Sequence, residues 1–218
     1  MKRLLILVFA MSMTIAVTAQ ITWNAKLGGG FAMCVSDNKK DDLKSKFVGK
    51  IGVGIEKPLS ANFSLMPSLE VAMKGTRWLY RDDNYIDNNG FSYEETLSPI
   101  YIQIPLLGAY RFYLDGYWNL TLKLGPYFAY GIGGKIEGSG NGNTDNVSYT
   151  TSTNGDMFSD RYGTKQRFDA GVDVGLDFEY HRFVFGIEYE RGFVSYSTYY
   201  MNSDIINQAA YITIGYKL

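Results

Sequence analysis

From Gln166 to Tyr180 the chain alternates without a break. Phe168, Ala170, Val172, Val174, Leu176, Phe178 and Tyr180 share one parity, while Arg167, Asp169, Gly171, Asp173, Gly175, Asp177 and Glu179 share the other. A period of two puts these sets on opposite faces of a strand; wound as a helix, the same residues would scatter four acids around the circumference. The pattern recurs along the chain. Trp118 to Gly133 sets Trp118, Leu120, Leu122, Leu124, Pro126, Phe128, Tyr130 and Ile132 against Asn119, Thr121, Lys123, Gly125 and Tyr127. Ile100 to Phe112 places Ile100, Ile102, Ile104, Leu106, Tyr110 and Phe112 opposite Gln103 and Arg111. Segments Phe47–Ile55, Phe63–Met73 and Phe183–Tyr189 repeat it, as do Trp23–Met33 and Ala210–Leu218.

Eight strands follow, with connections that alternate between short and long. Short turns fall at 57–60, 114–117 and 181–182; long polar loops are predicted at 34–46, 81–96, 134–165 and 192–207, with Asn89-Gly90, Asn141-Gly142 and Asn154-Gly155 as tight turns at their tips. The third loop has room for a hairpin around Val147 to Thr153, which leaves a ten-stranded version as the minor alternative. The expected fold class is all-β: an eight-stranded antiparallel up-and-down transmembrane β-barrel, with short turns on the periplasmic side and long loops outside the cell. Alternation alone does not say which face points outward. A soluble exported barrel with an apolar lumen is the competing arrangement. Small residues on the charged face, as a narrow lumen needs, and aromatics near strand ends (Trp23, Trp78, Tyr110, Phe112, Trp118, Tyr180, Phe183, Tyr216) favour the membrane version.

Residues 1–19 read as a cleaved secretory signal. Lys2 and Arg3 start it, Leu4 to Val17 form its apolar stretch, and Val17-Thr18-Ala19 offers small residues for cleavage. The barrel domain is then 20–218. Cys34 lies too far from the apolar stretch for a lipoprotein anchor, and no later apolar run is long enough for a membrane helix.

Composition narrows the chemistry. The chain has 218 residues with 21 bases against 22 acids, so nothing marks it for nucleic acid. One Cys and one His exclude a disulfide framework and the common zinc sites. No catalytic constellation can be assembled, and no cofactor or metal is implied. His181 reads as a solvated turn residue and Cys34 as a small residue near a strand end. The run 82–90 lacks the ligands of an EF-hand, so it reads as a solvated loop with at most opportunistic Ca²⁺ binding. Gly138-Ser139-Gly140-Asn141-Gly142 lacks the Lys of a phosphate loop and reads as a flexible loop tip.

On the charged parity lie the bases Lys26, Lys50, Lys74, Arg111, Lys123, Arg167 and Lys217 and the acids Glu56, Glu70, Asp169, Asp173, Asp177, Glu179, Glu188 and Glu190. Their near balance predicts an ion-pair network filling the lumen. A cation-selective pore lined by Asp169, Asp173 and Asp177 is the alternative.

The segment Tyr101-Ile102-Gln103-Ile104-Pro105-Leu106-Leu107, the signal ending at Ala19 before Gln20, and the final Ile214-Gly215-Tyr216-Lys217-Leu218 resemble the PorT-like outer-membrane β-barrels of the Bacteroidota. That family often ends in Phe, where this chain has Leu218. The resemblance implies an outer-membrane location and, as some relatives do, a part in a secretion or gliding assembly. The expected role is non-enzymatic, structural or interactive, at the cell surface. Expected partners are outer-membrane lipid and lipopolysaccharide, the barrel-assembly machinery during insertion, and a membrane-protein partner. A narrow small-solute pore and a soluble ligand-binding barrel compete with that role.

Overall fold

A computed structural model describes residues 21–36, 42–82, 91–114, 116–144, 147–159, 164–196 and 204–218. The signal segment 1–19, the calcium reading over 83–90 and the Asn89-Gly90 tip lie outside these residues. Among the described residues every regular element is a strand: β1 (Thr22–Ser36), β2 (Asp42–Lys44), β3 (Lys46–Pro58), β4 (Phe63–Met73), β5 (Thr76–Asp82), β6 (Phe91–Tyr113), β7 (Trp118–Thr144), β8 (Val147–Asp156), β9 (Phe168–Tyr180), β10 (Phe183–Tyr196) and β11 (Ile205–Lys217).

Eight of them close a ring. The antiparallel order is β1-β3-β4-β6-β7-β9-β10-β11, and β11 returns to β1 from Asn24↔Lys217 to Ser36↔Ile205. Closure removes both sheet edges, a requirement for any sheet that lies in lipid. The three remaining strands attach at one end only. β5 pairs with the upper part of β6, β2 with β5, and β8 with the upper part of β7. The ring therefore has a short-turn end and a wide end from which β6 and β7 project.

Alternation reads directly as inside and outside. On β9 the burial pattern switches at nearly every residue, with Asp173 and Asp177 buried and Val174, Leu176 and Phe178 exposed. Leu27, Phe47, Ile51, Leu69, Ile104, Leu124, Ile187 and Ile212 are likewise exposed. The apolar face is the outer one, which rules out the soluble barrel with an apolar lumen. Burying that outer face is favourable only in a hydrocarbon surround. Its short-turn rim is aromatic. Trp118 packs on Phe178 and Tyr180 at 4.7 and 4.3 Å, and Phe183 meets Tyr216 at 5.3 Å. His181, at φ 54° in the exposed β9–β10 turn, stacks on Tyr117 at 4.3 Å.

The wide end differs from the loops expected there. Segments expected as loops are strands, including Phe91–Thr96 of β6, Gly134–Thr144 of β7 and the hairpin partner β8. Asn141-Gly142 lies inside β7 and Asn154-Gly155 inside β8, paired to Thr150, Tyr149, Glu137 and Ile136, so neither is a turn tip. The hairpin expected around Val147 exists, but β8 pairs with β7 alone and adds nothing to the ring. A bulge opposite Ile100 and Tyr101 inserts an extra residue between Gly131 and Gly133 of β7. Gly134 takes φ +137°, a conformation L side chains avoid, and the parity of β7 flips. Ile136 consequently points inward, joining Cys34, Leu97, Met157, Tyr196 and Ile205 in an apolar cluster under the wide end. Trp78 packs against that cluster and takes no part in an outer aromatic rim.

Candidate lumen site

Inward-facing side chains build three connected tiers. At the short-turn end, Arg111 Nη2 lies 2.6 Å from Glu56 and 3.3 Å from Glu179, and Lys217 Nζ is 2.8 Å from each of the same two acids. Ser64 donates to Glu56 at 3.0 Å and Thr121 to Glu179 at 2.9 Å. Arg111 and Lys217 keep 18% and 12% side-chain exposure, so water reaches this tier.

The middle tier is most deeply buried around Lys50, Glu70 and Glu188, whose side chains have no exposure. Lys26 bridges Glu70 at 2.6 Å and Glu188 at 3.0 Å. Lys50, with no side-chain exposure, bridges Glu70 at 3.5 Å and Glu190 at 3.0 Å, and also pairs with Glu188. Lys123 bridges Asp177 at 2.7 Å and Glu188 at 2.8 Å. Gln103 ties two acids together, donating to Glu190 at 2.8 Å and Glu70 at 3.2 Å. Each Lys thus serves acids from two or more strands, which is how a narrow lumen satisfies groups it cannot leave charged and alone. Asp173 sits among them fully buried, and neither of its carboxylate oxygens has a hydrogen-bond partner among the described residues. The space between the lower tiers is a cavity of about 40 Å³ lined by Lys26, Lys123, Asp177, Glu188 and Lys217, among others. It has room for single waters.

In the upper tier Lys74 pairs with Glu190 at 3.1 Å and Asp169 at 3.4 Å, with its ammonium 3.9 Å above the Tyr127 ring. Tyr127 and Asn207 both donate to Asp169, at 3.2 and 3.3 Å. Tyr196 donates to Asn207 at 3.2 Å, and buried Cys34 lies 3.2 Å from the Tyr196 hydroxyl.

Of the charged residues singled out in the sequence, Lys26, Lys50, Glu56, Glu70, Lys74, Arg111, Lys123, Asp169, Asp177, Glu179, Glu188, Glu190 and Lys217 all join this network. Asp173 is packed within it. Arg167 is not. Its guanidinium donates to the carbonyls of Gly131 at 3.1 Å and Phe158 at 3.2 Å. These bonds hold the Met157–Phe158 turn over the lumen, with Phe158 edge-on to Tyr101 at 6.0 Å. A side chain at Gly131 would push this ring aside, since a Cβ there would lie 2.1 Å from the Phe158 ring. No pattern in the sequence signals this cap, or the tyrosines and Asn207 that complete the upper tier. Their positions depend on the bulge in β7 and on pairings distant along the chain.

Above the tiers, Glu95 of β6 is fully buried, and neither carboxylate oxygen has a partner among the described residues. It lies beyond the apolar belt, because the outward positions of β6 there are Glu94, Thr96 and Ser98. Burial pushes its carboxyl up to about 7. A folded-state value above the unfolded one means the protonated form adds stability that is complete below the unfolded value and lost as pH rises through about 7. The wild-type unfolding midpoint is therefore expected to fall between about pH 5 and about pH 8. Glu95→Gln is expected to remove most of that decline in thermal melts; an unchanged decline would place its cause elsewhere.

No group of three or more His, Cys, Asp or Glu among the described residues has the arrangement to hold a metal ion. Among curated protein sequences nothing matches the chain at a significant level. In fold it is similar to Ail, the attachment invasion locus protein of Yersinia pestis, at 14% identity over 91% of this chain and 99% of that one, with a TM-score of 0.43. It is also similar to a major outer membrane protein of Thermus thermophilus, at 14% identity over 91% and 100% of the two chains with a TM-score of 0.47. OprG of Pseudomonas aeruginosa is a third, at 11% identity over 89% and 95% with a TM-score of 0.42. A family model matches residues 16–197, most of the chain, and the protein belongs to the family it describes, the outer membrane protein beta-barrel domain.

Proposed function

We propose that this outer-membrane barrel is a sealed, non-enzymatic scaffold. It holds the paired strands of its wide end at the cell surface as an interaction platform, and it does not conduct solutes. The observation that supports this reading most is the lumen itself: Lys50, Glu70 and Glu188 have no side-chain exposure and tie β3 and β4 to β10 across the ring, under a cap latched by Arg167. A cation pathway along Asp169, Asp173 and Asp177 would have to break pairs made by Lys74 and Lys123. Eight strands leave an interior that side chains fill.

In this reading residues 1–19 direct export and are removed, the short turns face the periplasm, and β5–β8 project outward. Lipid, including lipopolysaccharide, surrounds the belt, and the barrel-assembly machinery inserts it. The PorT-like resemblance of Tyr101–Leu107 adds a second reading, membership of a larger secretion or gliding assembly. Planar-bilayer recording tests the seal. Purified protein is expected to give no current steps at high salt, and reproducible steps would overturn the scaffold reading in favour of a pore. Particle size after mild extraction separates the two non-conducting readings: one barrel with its detergent supports the autonomous scaffold, and co-migration in a much larger particle supports the assembly.

A further inference from the structure

Two charged side chains stand on outward positions along the apolar wall of the ring strands among the described residues: Lys57 of β3 at the short-turn end, beside Leu65, and Arg191 of β10 toward the wide end. Arg191 stands on the outward parity between Tyr189 and Phe193, with Val172 of β9 and Gln208 of β11 as its paired neighbours. None of these is acidic, and among the described residues the guanidinium has no partner. The pairing of β10 with β11 breaks between Arg191 and Ser195, which marks the upper limit of the regular wall.

Depth decides what such a cation meets. Arg191 lies eight residues along β10 from Phe183 on the short-turn rim. At about 3.3 Å per residue and roughly 40° of tilt, that is about 20 Å up a belt about 25 Å tall. The group is therefore close to where lipid phosphates begin on the wide side, within reach of a long side chain that extends toward the interface. An unpaired cation at the edge of hydrocarbon is costly, and a planar guanidinium fork matches phosphate oxygens. Its neighbour is prepared for the same ligand. The Tyr189 hydroxyl donates to Gln208 Oε1 at 3.0 Å, which engages the amide's acceptor and leaves its N–H donors available on the residue paired with Arg191.

We infer that Arg191 and Gln208 form a site on the outer wall for the phosphate group of a membrane lipid in the leaflet at the wide end. The inference rests on the belt facing lipid and is independent of whether the lumen conducts. Free phosphate is not the intended occupant, because Tyr189 and Phe193 flank the site with surface that an acyl chain covers.

Native mass spectrometry on delipidated, refolded protein tests this, with bis-phosphorylated lipid A and the same acylated disaccharide without phosphates as probes. The wild type is expected to hold the phosphorylated probe about tenfold more tightly. Arg191→Gln should lose that preference and Arg191→Lys should keep part of it, with folding of each confirmed by heat-modifiable gel mobility. Equal binding of the two probes by the wild type would overturn the site, a comparison that needs no variant. So would an undiminished preference in Arg191→Gln. Inorganic phosphate in excess should leave the lipid in place; full displacement would show a free-anion site and reject the lipid assignment.

Discussion

Lys50→Met is expected to destabilise the barrel by about 3–5 kcal/mol, the cost of removing one member of a buried ionic cluster. Lys50 is the hub of the middle tier, paired with Glu70, Glu188 and Glu190 from β4 and β10. Met fills nearly the same volume, so the loss would come from charge and not from a cavity. Three carboxylates would then face one another with Lys26, Lys74 and Lys123 as the remaining counter-charges. Unfolding in urea from detergent micelles or thin-bilayer vesicles measures the change. Adding Glu190→Gln to Lys50→Met should recover part of it, since the second change removes a charge the first has stranded, and neighbours in one network are not additive. A single-variant loss well under 1 kcal/mol would show that the tier is solvated.

Leu176→Arg probes the opposite face and is expected to cost about 2–4 kcal/mol, the range for Arg at mid-bilayer on a lipid-facing position. Leu176 is exposed, four residues up β9 from Tyr180 on the short-turn rim, which is about 10 Å into a belt about 25 Å tall, with Leu122 of β7 and Ile187 of β10 beside it in register. The same substitution in a soluble protein at such an exposed site would be nearly neutral. Its size is therefore a measure of the surround. The same change at Phe168, near the wide-end rim, should cost less because the penalty falls toward the interface.

The ring is legible in the sequence because each of its strands must solve two problems at once. Leu176 and Asp177 are neighbours in sequence with opposite solvents, and no other periodicity accommodates both. The wide end obeys no such rule. Beyond Gly133 the side chains of β7 no longer divide between lipid and lumen, so Gly138 to Gly142 carries the composition of a loop while its backbone pairs with β8 and β6. A strand held by its ladder alone leaves little trace in hydrophobic pattern. Charged parity identifies which residues enter the lumen, yet it does not say that Lys50 meets Glu190, 140 positions away, or that Arg167 turns from the acids to hold Phe158. Those choices follow from ring closure and from the bulge at Gly131, neither of which is a local property. Trp78 escapes the pattern for the same reason: its residue type suits a rim, but its strand pairs above the belt.

One parity of each ring strand faces out of the barrel while the other packs inside it, and a cysteine scan over residues 172–180 of β9, in a Cys34→Ala background, tests this most directly. Each variant would be treated with a small thiol-reactive bimane in vesicles, and its quenching by lipids brominated at mid-chain would be read. Val174→Cys, Leu176→Cys and Phe178→Cys are expected to label and to be quenched, whereas Asp173→Cys, Gly175→Cys and Asp177→Cys should resist labelling. Labelling at the odd positions without quenching by lipid would mean a lumen open to water, and quenching there would mean that inside and outside are reversed.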